Sequence, residues 1–181
     1  PFFVALLSIF FLRERLTRLK AAALILALVG TAFTAGPVSG QLIGALMAVA
    51  AALIYSVYII VGANVTKRVS AIQSSTVIFA SAGAVYGLLA LVNGMNFPVS
   101  ASGWLAVLGI IFVSTIVPVT AFLAGLERIG PVNAAMLSTL EPVVTVLPAT
   151  WHFAERLNPI VLVGGGLILT AVTLLARQEL K

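Results

Sequence analysis

GPVNAAMLSTLEPVVTVLPATWHFAERL, residues 130–157, holds an otherwise uncharged apolar segment long enough to span a bilayer, with one carboxyl, Glu141, near its middle, and closes on the charged pair Glu155-Arg156. A carboxyl at the centre of a membrane helix costs about 2.5–3.5 kcal/mol on translocon scales, so it needs a partner or a purpose. The same stretch is one half of an internal repeat. The shift that lays Pro1 on Pro142 also lays Glu14-Arg15-Leu16 on Glu155-Arg156-Leu157, and two residues more lay Ala21-Ala22-Ala23-Leu24-Ile25-Leu26 on Gly164-Gly165-Gly166-Leu167-Ile168-Leu169.

Composition sets the class. With 61% hydrophobic and 8% charged residues and a mean hydropathy of +1.20, the chain lies far from soluble domains, which carry about 25% charged residues. It reads as an integral membrane protein. The net charge of +5 does not mark a nucleic-acid binder, because the basic residues sit between apolar segments, as in loops at a membrane surface. No nucleic-acid partner is expected. The absence of cysteine excludes disulfides, thiol chemistry and Cys-ligated metals. The chain opens with Pro inside an apolar run, which reads as the C-terminal part of a longer protein.

Outward from the opening stretch, residues 1–12 are apolar but short, and Arg13 to Lys20 read as a charged loop. The second segment, 21–36, carries Ala23, Ala27, Thr31 and Ala35, a small-residue face that lets membrane helices approach closely. Gly36 to Gly40 is a turn. The third, 41–63, repeats the device with Gly44, Ala48, Ala52 and Ser56 and adds Tyr55 and Tyr58 one turn apart. The fourth, 72–92, contains Gly83-xxx-Gly87. The fifth, 104–126, has Pro118 in its interior near Ser114 and Thr115, the sixth is 131–153, and the seventh 159–176.

If loops alternate sides, Arg13, Arg15, Arg18, Lys20, Lys67, Arg68, Arg128, Arg177 and Lys181 share one side and Arg156 alone takes the other. The positive-inside rule then puts the C-terminus in the cytoplasm, the membrane being the cell's inner membrane. Glu14-Arg15 falls inside and its copy Glu155-Arg156 outside, so the halves are inverted, as in many secondary transporters. The fold expected is all-α, a polytopic transmembrane helix bundle of inverted five-helix repeats, with the first repeat truncated and ten helices in the intact protein.

The paired signatures, Pro1 followed by Leu12-Arg-Glu-Arg-Leu16 and Glu141-Pro142 followed by Phe153-Ala-Glu-Arg-Leu157, resemble the EamA family of the drug/metabolite transporter superfamily. The resemblance implies residues 1–36 as the end of a first repeat and 41–177 as a complete second one. It implies two five-helix repeats around a central cavity through which small metabolites or drugs leave the cell. The expected function is a secondary transporter that exports or exchanges a small organic metabolite, amino acid or drug by alternating access. A non-transporting membrane scaffold or sensor is the other class carried forward.

Steps of three and four put Ala134, Ser138, Glu141, Thr145, Pro148 and His152 on one face. If that face meets the cavity, Glu141 is a proton or cation site and Ser138 and Thr145 touch substrate; the plainer reading is a protonated, hydrogen-bonded packing group. Tyr55 and Tyr58 line the cavity or belong to the core, since a buried phenol needs a partner either way. Pro118, Pro142 and Pro148 each remove a backbone donor and read as static kinks; Pro142 and Pro148 would leave the carbonyls of Ser138 and Val144 without their usual helical partners. His152 beside Trp151 reads as a headgroup-belt residue. Gly164-Gly165-Gly166 and Gly83-xxx-Gly87 read as close helix contacts. With no Asp, one His and no P-loop, no enzyme activity, metal or cofactor is expected. The partners expected are a small-molecule substrate, the bilayer and the missing N-terminal helices of the same protein, with a homodimer left open.

Overall fold

The computed structural model describes residues 1–35, 42–95, 97–146 and 158–179, with side chains up to Arg177. Pro148, Trp151, His152, the Gly36–Gly40 turn and the second signature, 153–157, lie outside the described residues.

The described chain is all helix. Helix α1, Phe2–Leu7, widens into a π-helical turn at Ser8–Leu12, and α2 is Arg18–Ala35. Then come α3, Leu42–Val65, α4, Ala71–Asn93, and α5, Ala101–Gly109. A second π-helical stretch, Ile110–Ile116, leads into α6, Val117–Leu137, which ends in a 3-10 turn at Ser138–Leu140. Helix α7 is Pro159–Glu179. Among the described residues, five helical runs are long and apolar enough to cross a membrane, the fourth being Ala101–Val146. At 46 residues that run exceeds the roughly 20 one crossing needs, and it breaks at Gly130, where φ is 78° and ψ 169°. The break leaves two helices, so the expected fifth and sixth segments are separate and meet at Gly130, and Glu127 and Arg128 lie inside the helix that precedes the break. A left-handed φ is one that glycine adopts without steric cost.

Local chemistry explains the ends. The α1 end closes on Arg13 in the left-handed region (φ 54°), whose N–H reaches the Ser8 carbonyl. The charged loop is shorter than expected, because Thr17 accepts the Lys20 N–H at 3.2 Å and starts α2 from there. Helix α4 opens on a capping box in which Ser70 and Gln73 satisfy one another's backbone N–H groups. The side chain of Asn158 accepts from Ile160 N–H at 3.0 Å ahead of α7, with Pro159 in the first helical position that its fixed φ suits.

The chain forms two compact units, Pro1–Val61 with Gly130–Lys181, and Gly62–Ile129. In the first, Ala5 of α1, Ala23, Leu24 and Ala27 of α2, Val132 and Met136 of α6, and Ala171 and Leu175 of α7 make one core. Its seam is the pairing of α2 with α7. A Cβ on Gly30 would lie 2.7 Å from the Gly164 carbonyl oxygen, and one on Gly164 would lie 2.7 Å from the Gly30 carbonyl oxygen. The small face of α2 is therefore Ala23, Ala27 and Gly30, continued by Thr34, rather than the expected Ala23, Ala27, Thr31 and Ala35. Four-residue steps overshoot the 3.6-residue turn by about 40° each, so Thr31 has rotated off the seam and Ala35 is exposed.

In the second unit, Thr120 donates to the Ser75 hydroxyl at 3.2 Å, and Leu126 packs close enough to Gly62 that a Cβ there would meet its Cδ2 at 3.0 Å. Small residues and hydroxyls fill much of the interiors, while large apolar residues such as Leu42, Leu91 and Phe112 face outward. That distribution would be a liability in water. In lipid, where helices associate by close packing rather than by apolar burial, it is the expected one.

Of the other small-residue faces, that of α4 meets no described neighbour, and that of α3 is open except toward its buried Ser56. Gly44, Gly83 and Gly87 have no described atom within 4 Å of a built Cβ, and Ala48 and Ala52 are exposed. Of the triple glycine, only Gly164 makes a close contact. Gly165 has just the Val143 side chain at 3.9 Å, and Gly166 has open space.

Candidate functional site: a hydroxyl-lined cavity

Within the first unit, a cavity of about 290 Å³ opens between α1, α2, α3 and the end of α6. It lies at the lower end of the size range of small-molecule pockets. Pro1 and Pro142, the prolines that the sequence shift superposes, both line it. Its polar side-chain lining consists of hydroxyl groups, those of Thr31, Tyr55, Ser56, Ser138 and Thr139, and among the described residues no charged side chain reaches it.

The lining of α6 is a stripe at three- and four-residue spacing, Ala135, Ser138, Thr139 and Pro142. It shares Ser138 with the expected face but is turned away from the rest. Ala134 is buried, whereas Glu141 and Thr145 are exposed. Neither Glu141 nor Thr145 lines the cavity. The 3-10 turn produces part of this rotation, because it advances each residue about 120° rather than 100° just before Glu141.

Pro142 causes the turn. Its missing N–H would orphan the Ser138 carbonyl in a regular helix, but that carbonyl instead accepts the N–H of Glu141. The expected orphan is satisfied by tightening the backbone. Pro118 works in the opposite sense. The helix before it widens, with the Val117 N–H reaching the Phe112 carbonyl and the Thr115 hydroxyl taking the Ile110 carbonyl at 2.9 Å. Pro118 thus sits in the first turn after a π-helical stretch rather than at an isolated interior kink.

Four lining hydroxyls have already committed their protons. Thr31 donates to Ala27 O at 2.8 Å, Ser56 to Ala52 O at 2.6 Å, Ser138 to Ala134 O at 3.1 Å and Thr139 to Met136 O at 2.6 Å. Thr145 does the same away from the cavity, donating to the carbonyls of Glu141 and Pro142 at 3.0 and 3.1 Å. Tyr55 stacks on Tyr58 with ring centroids 5.8 Å apart and planes 24° apart. Only Tyr55 of the two lines the cavity; Tyr58 braces it from behind.

The structure therefore brings Tyr55 and Ser138 to one cavity and leaves Glu141 and Thr145 outside its lining. Sequence reasoning missed Thr31, Ser56 and Thr139. Thr139 carried a signal, since it stands beside Ser138 and three residues before Pro142. Among the described residues, no cluster of His, Asp or Glu suits a metal ion.

A family model described as the EamA-like transporter family matches residues 42–177. A protein of Bacillus subtilis (strain 168) called "Uncharacterized transporter YcbK" is 28% identical, over 78% of this chain and 47% of its own length. The chain thus spans about half the length of the curated relative it matches. No solved structure matches it.

Proposed function

The chain belongs to the EamA-like transporter family, and on that premise we propose that it is part of a secondary transporter that exports or exchanges a small organic compound by alternating access. Family membership and the apolar spans make it a multi-pass membrane protein. In this reading, residues 1–36 end a first repeat and 41–177 form the second, in a ten-helix protein of the inner membrane with its C-terminus in the cytoplasm.

The observation that supports transport is the cavity shared by Pro1 and Pro142. Equivalent points of an internal repeat meet there, and repeat interfaces are where transporters place substrate. Ser138 and Tyr55 contact the cargo, Tyr58 holds Tyr55, and Glu141, one residue before the lining Pro142, is a proton or cation site. Thr145 fixes the backbone around Glu141 and Pro142 and does not touch substrate.

The test uses the intact gene. Cells that overexpress the parent, Ser138→Phe, Glu141→Gln or an empty vector are compared by profiling small metabolites in the medium. One compound class should accumulate with the parent and fall to the vector level with Ser138→Phe, which fills the cavity. Equal profiles for parent and vector, with the protein shown to be in the membrane, would remove the export reading and favour a scaffold or sensor.

A further inference from the structure

We propose that the cavity selects a cargo with an apolar body and an N–H-donating head, a neutral or protonated amine, and rejects carboxylates and phosphates. The inference rests on reading this cavity as the cargo site and names the substrate class.

It follows from where the protons are. A serine or threonine hydroxyl has one proton to give and two lone pairs to receive. Thr31, Ser56, Ser138 and Thr139 each give theirs to a carbonyl of their own helix. Toward the cavity they present lone pairs alone. Pro142, also in the lining, has no backbone N–H to offer. The Tyr55 phenol is the one lining hydroxyl that no hydrogen bond to a backbone carbonyl engages among the described residues. The site is thus rich in acceptors and nearly bare of donors.

An anion needs the reverse. Burying a carboxylate without donors costs several kcal/mol, and no lysine or arginine reaches this lining to offset that cost. An amine meets matched partners, its N–H groups on the lone pairs and its hydrocarbon on Val4, Ile59, Ala52 and Ala135.

The experiment takes the full-length protein in detergent and follows its melting temperature with phenethylamine and with 3-phenylpropionate, a matched pair of the same length and ring. Phenethylamine should raise the melting temperature in a saturable way and 3-phenylpropionate should not at the same concentrations. In Ser138→Ala/Thr139→Val, phenethylamine affinity should fall roughly tenfold, the loss of about 1.4 kcal/mol of hydrogen bonding. If that double variant does not fold, Thr31→Val should show a smaller weakening in the same sense. Tighter or equal binding of 3-phenylpropionate, or binding of neither compound, would overturn the proposal. Carboxylate binding in a protein whose export Ser138→Phe abolishes would remove this inference and leave the transport reading standing; absence of export would remove that reading itself.

Discussion

Gly30 of α2 and Gly164 of α7 meet backbone to backbone, each so placed that a methyl group on it would lie 2.7 Å from the other's carbonyl oxygen. A carbonyl in a helix cannot swing aside as a side-chain end can. Gly30→Ala and Gly164→Ala should each cost about 1–3 kcal/mol, the usual cost of overpacking. Thermal melts of the purified protein in detergent would measure it. Gly166→Ala, with open space around it, is the control and should melt with the parent.

Gly130 should respond differently from the seam glycines. No described atom lies within 4 Å of a Cβ placed on it, but its φ is +78°. The cost of Gly130→Ala therefore comes from backbone strain alone, and because ψ is 169° the residue lies in a region that only glycine adopts, so Gly130→Ala and Gly130→Asn should each cost about 1–3 kcal/mol. A Gly130→Asn protein that melts with the parent would count against this account.

Thr115 and Thr145 donate to backbone carbonyls in opposite circumstances. Thr115 meets the Ile110 carbonyl inside a widened turn, where the regular ladder is broken, so Thr115→Val should destabilise by about 1 kcal/mol. Thr145 lies outside the cavity and its hydroxyl only supplements the helix. Thr145→Val should leave export within about twofold of the parent, under 0.5 kcal/mol, while Thr139→Val, inside the cavity, should change it by more. Metabolite accumulation in the medium measures both.

Lys20 Nζ and Glu14 Oε1 stand 3.4 Å apart, with side chains 13% and 21% exposed. The contact is long and only partly buried, so Glu14→Gln should cost about 1 kcal/mol or less. A larger loss would mean that the loop between α1 and α2 depends on Glu14 for more than this contact.

Much of this was legible in the residues. The all-α membrane class followed from composition, the family from the Pro1 and Glu141-Pro142 signatures, and Ser138 and Tyr55 from their place on apolar helices. What escaped was rotation. Thr31 was set on the helix seam and Thr139 was overlooked because integer steps of three and four stand in for 3.6, and because Pro142 tightens its own preceding turn, an effect no periodicity contains. Glu141 stood out as a rare carboxyl in lipid, yet rarity gives depth and not direction. Gly83-xxx-Gly87 spelled a contact, but a motif names a surface and not what covers it.

The glycine seam also has a mechanical meaning. Where peptide meets peptide, one helix cannot slide past the other without the two separating, so the seam fixes the register of α2 against α7. The wall on the α6 side has no such regularity, being bounded by the non-helical peptide at Gly130 and the overwound turn at Ser138–Leu140. The segment between them carries Ala135, and Ser138 stands at its far end, so one part of the cavity wall lies between two backbone irregularities while Thr31 belongs to the tightly seamed α2.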